Sequence, residues 1–205
     1  MRLTPLRTAR RQLNSYWAAA TIHLVAVVFD LKALQLLSKA ALMPSLASWV
    51  YEQQGSPLLV AALLASAVGD LLMEIDQILP AMAAFSAAHA CYIALFSRGT
   101  RHRSWVAPTA YCLLGLAAMV TFWPGLGLYR APVTAYAAML TATAVTSLWY
   151  GGRAGVGGAL FLASDTLICA KLAGHDFPLR SLLLKAAYGA GQHQIAVGVT
   201  SRARL

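Results

Sequence analysis

Long apolar stretches alternate with short polar breaks along the whole chain. Eight of these stretches are close to the roughly 20 residues that a helix needs to cross the hydrocarbon core of a bilayer. They lie at residues 15–31, 33–51, 57–74, 78–97, 104–123, 131–150, 153–173 and 179–199. Since the connections between them are only a few residues long, the pattern predicts an all-α, polytopic membrane protein with eight transmembrane helices.

The composition supports a chain that lies almost entirely in the membrane. Of its 205 residues, 59% are hydrophobic and only 11% are charged. Soluble domains usually have about 25% charged residues. We therefore expect a single transmembrane domain over residues 1–205, with a short basic N-terminal tail at residues 1–14.

The positive charges predict how the helices are oriented. If the N-terminus is cytoplasmic, ten Lys and Arg residues fall in inner segments and four in outer segments. The inner ones are Arg2, Arg7, Arg10, Arg11, Arg98, Arg101, Arg103, Arg153, Arg202 and Arg204, and the outer ones are Lys32, Arg130, Lys171 and Arg180. Positive residues favour the cytoplasmic side, so both termini are predicted there, in a multi-pass protein of the cell membrane. The charges flank apolar runs without interleaved aromatics, which favours lipid contact over nucleic-acid binding.

Several polar residues interrupt the apolar stretches at helical spacing. An ionisable side chain at the centre of a span costs about 2.5–3.5 kcal/mol, so such residues tend to face the bundle interior and to be functional. The residues that share stripes three, four or seven positions apart are Gln35 and Lys39, Ser66 and Asp70, Phe85, His89 and Tyr92, Phe161 and Asp165 with Ser164 beside them, and Lys185, Tyr188 and Gln192. Five predicted helices thus direct polar groups to one level of the membrane, which predicts a buried polar site.

Other polar residues have simpler explanations. We expect His23 to pair helices through a hydrogen bond, and Asp30, Glu74, Asp76 and Asp176 to be solvated at helix ends or in loops. The glycines of "GGRAGVGG" indicate close helix packing at the start of the seventh helix. An ion pair of Asp70 or Asp165 with Lys39 could also be purely structural.

A metal site is a weaker interpretation of the same polar residues. The chain has no HExxH or CxxC motif, and a zinc site built from the two aspartates and His89 is the weaker alternative. We predict no metal and no cofactor.

Five short motifs, taken together, resemble the YhhN family of integral membrane proteins, which includes the lysoplasmalogenases. In chain order they are "LSKAALMP" with Lys39, "GD" at Gly69 and Asp70, "FSAAHACY" with Phe85, His89 and Tyr92, "SD" at Ser164 and Asp165, and "YGAGQ" with Tyr188 and Gln192. Their order and spacing match over roughly residues 30–198. The chain departs from the family pattern at Ala40, where Pro is frequent, in "LPAMAAF", which lacks a frequent Gly, and at His193, where an apolar residue is usual.

The resemblance implies an ether hydrolase. Its substrate would be a lysoplasmalogen, a lysophospholipid of the choline or ethanolamine type, and its products a fatty aldehyde and a glycerophospho-base. A vinyl ether is cleaved by protonation of its β-carbon, followed by attack of water on the resulting oxocarbenium ion. Two carboxyl groups in different environments suit this division of labour, as they do in glycoside hydrolysis.

The roles of the candidate residues follow from this chemistry. The catalytic candidates are Asp70, Asp165, Lys39 and His89, and the substrate-binding candidates are Tyr92, Ser164, Tyr188 and Gln192. One aspartate would be the acid, and the other would stabilise the cation and orient water. Which aspartate has which role stays open, as does a homo-oligomer.

Other functions would use the same residues differently. A proton-coupled transporter of a small molecule or lipid also needs intramembrane Asp, Lys and His, and inverted repeats with broken helices would identify it. A scaffold subunit would bind a partner helix through these polar stripes. Within the enzyme class, another lysolipid or ether lipid is an alternative substrate.

Overall fold

All regular structure in the described part of the chain is helical. The computed structural model describes residues 4–100 and 104–202. The helices are α1 (Thr4–Val28), α2 (Lys32–Glu52), α3 (Pro57–Glu74), α4 (Ile78–Arg98), α5 (Val106–Phe122), α6 (Arg130–Tyr150), α7 (Gly152–Leu172) and α8 (Arg180–Arg202), with a short 3-10 helix (Trp123–Tyr129) between α5 and α6. Each predicted apolar stretch overlaps one α-helix.

The largest difference from the predicted boundaries is at α1. We expected a helix over residues 15–31 after a basic tail, whereas α1 already begins at Thr4 and ends at Val28. The apolar pattern marks only the part of a helix that avoids water, so it does not reveal the polar extension. The predicted inner charges Arg2, Arg101, Arg103 and Arg204 lie outside the described residues, and the cytoplasmic location of the termini stays a prediction.

Four helical segments in the described residues are long and apolar enough to cross a membrane. They are Pro57–Glu74, Ile78–Arg98, Pro108–Tyr150 and Gly152–Leu172. The third has 43 residues and contains α5, the 3-10 helix and α6. Its helical path is interrupted at Gly127, which has φ 49° and ψ −122°. The fold is therefore that of an all-α membrane protein, while the number of eight transmembrane helices stays a prediction.

The outer surface of α5 has the character expected of a lipid-facing helix. Leu113, Leu114 and Leu116 are each about 60% exposed (61%, 60% and 62%). A contiguous apolar surface of this kind marks contact with a membrane or a partner. In a chain of this composition, we assign it to the bilayer.

In the described part of the chain, four helices are followed, two residues after their last residue, by a residue in the left-handed conformation. These residues are Asp30 (φ 52°), Gln54 (φ 55°), Asp76 (φ 57°) and Gly174 (φ 84°). After α1, for example, the amide of Leu31 donates to the carbonyl of Ala26 (2.8 Å) and that of Asp30 to Val27 (3.3 Å). This pair of bonds is a Schellman motif, and it explains how α1 ends at "VFDLK" without Gly or Pro.

The described residues form two compact units. One contains the residues up to Tyr92 and those from Ala196 onward, and the other is Ile93–Ile195. In the first unit, α2 packs against both α1 and α3. In the second unit, α6 packs against both α5 and α7. The single domain over residues 1–205 stays a prediction.

Polar contacts join α1 to α2 in the first unit. The Nδ1 atom of buried His23 lies 3.0 Å from the hydroxyl oxygen of Ser38. Nearby, the side-chain nitrogen Nε2 of Gln35 donates to the backbone carbonyl of Ala26 at 3.2 Å. The prediction that His23 pairs two helices is therefore confirmed.

Glycines bring α7 close to its neighbours in the second unit. A Cβ atom added to Gly157 would lie 2.6 Å from the carbonyl oxygen of Gly191 in α8, and one added to Gly158 would overlap the hydroxyl of Ser147 in α6. The close packing predicted from "GGRAGVGG" is therefore confirmed. Because Asp165 follows Gly158 by seven residues, it lies on the same face of α7, toward α6.

Candidate active site

Lys39 and two carboxyl groups form an ion cluster between α2 and α3. The Nζ atom of Lys39 lies 3.1 Å from Oε2 of Glu74 and 3.7 Å from Oδ1 of Asp70. The exposed fractions of the three side chains are 12% for Lys39, 19% for Glu74 and 5% for Asp70. The prediction that Glu74 is a solvated loop residue was wrong, since it is the last residue of α3 and bonds a largely buried lysine.

Helical spacing explains this arrangement. Ser66, Asp70 and Glu74 are four residues apart, so they form one stripe on α3. The ammonium group of Lys39, on α2, lies beside Asp70 and Glu74. A single ammonium group thus serves two carboxyl groups. The cluster has a net charge of −1 when both carboxyls are ionised and is neutral when one of them holds a proton.

The predicted stripe of α4 is buried. His89 and Tyr92 are fully buried, and Phe85 is 8% exposed. The ring of Phe85 lies against Gly69, where an added Cβ atom would be 2.8 Å from the ring carbons. Gly69 therefore allows close contact between α3 and α4 next to Asp70, which gives a structural reason for "GD" and the phenylalanine of the α4 motif.

Asp165, in the second unit, accepts hydrogen bonds from two hydroxyl groups. The hydroxyl of Tyr136 in α6 donates to its Oδ2 atom, and the hydroxyl of Ser164 lies 3.1 Å from its Oδ1 atom as a donor. Asp165 is 6% exposed and Ser164 is fully buried. Sequence reasoning included Ser164 and missed Tyr136, whose only signal was a tyrosine inside the apolar stretch "VTAYAAML".

A small crevice lies beside this carboxylate, between α5, α6 and α7. It has a volume of about 40 Å³, and its walls include Gly115, Ala118, Tyr136, Thr141, Asp165 and Thr166. A cavity needs roughly 10–15 Å³ by this measure to hold one water molecule. The crevice therefore has room for two or three waters next to Asp165.

Tyr188 and Gln192 lie on a buried stripe of α8. The ring of Tyr188 meets the ring of Phe161 edge to face, with centroids 5.5 Å apart. Phe161 is one turn before Asp165 on α7, so Tyr188 lies near the same helix face as the carboxylate. Gln192 is fully buried, one residue beyond the close contact that Gly191 makes with α7.

The predicted site residues fall into two groups, one in each unit. Lys39, Asp70, His89 and Tyr92 belong to the first unit, and Ser164, Asp165, Tyr188 and Gln192 belong to the second. The formation of one site by both groups stays a prediction. Among residues 4–100 and 104–202, no three His, Cys, Asp or Glu side chains are grouped so that they could hold a metal ion.

These features define a class of protein: an all-α membrane protein that buries ionisable side chains between apolar helices. Comparison with known proteins identifies the family. The model of the YhhN family matches residues 34–199, and the chain therefore belongs to the YhhN family. This confirms the resemblance seen in the sequence motifs.

A curated relative carries an activity in its name. The chain is similar to the human protein lysoplasmalogenase TMEM86B, with 34% identity over 152 residues. These residues cover 70% of this chain and 65% of the human protein, so the chain spans slightly less than two thirds of that relative's length. No solved structure matches the chain significantly.

Proposed function

We propose that this protein is a lysoplasmalogenase-type ether hydrolase of the cell membrane. It would cleave the vinyl ether bond of a lysoplasmalogen to a fatty aldehyde and a glycerophospho-base. The observation that carries the proposal is the likeness to a lysoplasmalogenase within a family match that covers all eight predicted site residues, from Lys39 to Gln192. The buried carboxyl groups supply the chemistry that such a reaction needs.

The reaction has two stages that make opposite demands. An acid first transfers a proton to the β-carbon of the vinyl ether, which leaves an oxocarbenium ion. Water then adds to the cationic carbon and loses a proton, and the resulting hemiacetal breaks down to the alcohol and the aldehyde. The first stage needs a protonated acid, and the second needs a negative charge near the cation and a base for the water.

Asp70 suits the role of the acid. It shares Lys39 with Glu74, and the lysine nitrogen is closer to Glu74. Two carboxyls that share one cation in a poorly solvated place are best balanced in charge when one holds a proton. We assign that proton to Asp70 because it is the more buried carboxyl and the one farther from the ammonium group.

Asp165 suits the role of the anion. Its two oxygens accept hydrogen bonds from the hydroxyls of Tyr136 and Ser164, and hydrogen bonds to a carboxylate favour its charged form. It would stabilise the oxocarbenium ion and then accept the proton of the attacking water. His89, Tyr92, Tyr188 and Gln192 would position the glycerol hydroxyl and the vinyl ether.

The decisive experiment is aldehyde release by the purified full-length chain in detergent. The substrates are a lysoplasmalogen and a matched lysolipid with a saturated ether, which has no carbon that can be protonated in this way. We expect release only from the vinyl ether. We expect Asp70→Asn and Asp165→Asn each to lower kcat by about 10²–10⁴-fold, the usual contribution of a positioned acid or base.

The matched control is Asp76→Asn, which changes an exposed carboxyl at the end of α3 and keeps a residue type that tolerates its left-handed conformation. It should retain wild-type activity. Full activity in both buried variants would contradict the assigned site. Absence of release from every lysolipid by well-folded wild type would contradict the hydrolase, and proton-coupled flux would then be measured in vesicles.

A further inference from the structure

The crevice beside Asp165 has the size of a few water molecules and borders a buried carboxylate. Its volume of about 40 Å³ is enough for two or three waters and is too small for a long alkyl chain. Tyr136, Thr141, Asp165 and Thr166 are its polar lining residues, and its other eight lining residues are apolar or small. A buried water usually makes two to four hydrogen bonds, and its partners here would be the carboxylate of Asp165 and the neighbouring hydroxyls, of which those of Tyr136 and Thr166 already donate to Asp165 and to the carbonyl of Leu162.

Small side chains keep the crevice open. Gly115 and Ala118 form the wall on α5, and a Cβ atom added to Gly115 would already lie 2.9 Å from the hydroxyl of Thr141. The opposite face of α5 carries the exposed leucines that we assign to the bilayer. The crevice therefore lies between α5 and a buried carboxylate.

We infer that this crevice binds the water consumed in the reaction and that Tyr136 is the residue that positions Asp165 to activate it. The inference rests on the proposed hydrolase. The water oxygen bonds to the oxocarbenium carbon while one of its protons passes to Asp165. The carbon–oxygen bond to glycerol then breaks, and the glycerol oxygen takes that proton from Asp165. As the aldehyde forms, the hydroxyl proton passes to solvent water, from which the acid regains the proton that it gave to the β-carbon.

Tyr136 acts through Asp165. Its hydroxyl holds Oδ2 while Ser164 holds Oδ1, so rotation of the carboxylate is restricted from both sides. A base must lie within hydrogen-bond reach of the proton that it takes. Loss of the tyrosine hydroxyl would release one oxygen and loosen the orientation of the carboxylate toward the crevice.

The test is Tyr136→Phe in the full-length protein, with Tyr111→Phe on α5 as the matched control. We expect Tyr136→Phe to lower kcat by about 10–100-fold, since a misplacement of about 1 Å can cost about 10²-fold, with KM changed less than about twofold because the substrate contacts remain. Proton transfer to carbon gives a normal solvent deuterium isotope effect on kcat. This effect should fall in Tyr136→Phe, because water addition then limits the rate.

A second variant tests the crevice without touching the carboxylate. Gly115→Val fills the space from α5, and Ala117→Val, on an exposed position of the same helix, is its control. We expect Gly115→Val to reduce kcat and the isotope effect as Tyr136→Phe does. If one variant does not fold, the other carries the test.

Three results would overturn the inference. Wild-type kcat in Tyr136→Phe or in folded Gly115→Val would do so, as would a lower kcat with an unchanged isotope effect, which indicates a merely structural role. In these cases wild type still releases aldehyde, so the proposed function survives. Absence of release by wild type itself would overturn both.

Discussion

The two units hold their buried carboxyl groups by different means. In the first unit, Asp70 and Glu74 share the ammonium group of Lys39. In the second unit, the hydroxyls of Tyr136 and Ser164 donate to Asp165. One arrangement relies on a full positive charge divided between two acids, and the other on neutral donors aimed at one acid.

This difference separates two functions that one carboxyl could not perform at the same time. When two carboxyls share one ammonium group, one of them can hold a proton. Two hydroxyl donors instead favour the ionised form of the single carboxyl that they contact. Enzymes that need an acid and a base at neutral pH often place two carboxyls in unlike environments. The contrast can be tested by changing the partners of each carboxyl while the carboxyl itself is retained.

The largest effect is expected for Lys39→Met. Two poorly solvated carboxyls would lose their cation, and breaking a buried pair typically costs about 3–5 kcal/mol of stability. We expect a loss of this size in unfolding experiments in detergent, reduced somewhat by the 19% exposure of Glu74, and a fall in kcat of about 100-fold or more.

Lys32→Met is the control for that change, since Lys32 begins the same helix and its side chain is 76% exposed. It should leave stability and activity nearly unchanged. Equal effects of the two substitutions would show that the shared ammonium group has no special importance.

A smaller effect is expected for Glu74→Gln. Lys39 would then pair with Asp70 alone, and an ionised Asp70 has no proton to donate. We expect kcat at neutral pH to fall by about tenfold, less than the roughly 10²–10⁴-fold contribution of a general acid because the acid itself is retained, with little loss of stability. The measurement is aldehyde release beside Glu52→Gln, an exposed glutamate at the end of α2; an increase in kcat for Glu74→Gln would reverse the assignment of the proton.

The sequence predicted the stripes well because helix geometry is regular. The sequence predicted that Lys39 could pair with Asp70 or with Asp165, and the structure shows the pair with Asp70 across α2 and α3. The close packing at Gly157 and Gly158 was likewise predicted, because only small residues allow helix backbones to approach closely. These features depend on local periodicity.

Contacts between side chains on different helices could not be predicted in detail from the sequence. Glu74 looked like a solvated helix end because the sequence does not show that Lys39 extends toward it. Tyr136 looked like an ordinary aromatic residue in an apolar stretch, since its partner lies 29 positions away on α7. The helix ends at Asp30 and Asp76 were hidden for another reason: glycine is the usual left-handed residue, and here aspartates adopt that conformation.

A still smaller effect is expected for Ser164→Ala. One oxygen of Asp165 would lose its donor while Tyr136 keeps the other, and a hydrogen bond of this kind is worth about 1–3 kcal/mol. We expect kcat to fall by about 3–10-fold, less than for Tyr136→Phe. Ser45→Ala on α2, whose exposed hydroxyl bonds only its own helix at 2.7 Å, is the matched control; a larger loss than in Tyr136→Phe would mean that Ser164 is the principal donor.

The smallest effect on activity and stability is expected for a change of Asp176, an exposed carboxylate in the loop between α7 and α8. Asp176, between α7 and α8, accepts a hydrogen bond from Arg180 at 2.7 Å, and chiefly this bond lowers the pKa of Asp176 below its ordinary value of 3.8. A lowered pKa in the folded state adds stability above the unfolded pKa, and this gain is lost as the pH falls through the folded pKa.

Asp176→Asn should therefore leave kcat within about twofold and lower the unfolding temperature slightly at pH 7, because exposed ion pairs contribute little. The difference from wild type should shrink as the pH falls below about 4, and added salt should reduce it at pH 7. A difference that grows in acid would contradict this sign. Loss of activity would instead mean that the exposed pair influences the buried carboxyls, and the contrast between solvated and membrane-buried acids would then fail.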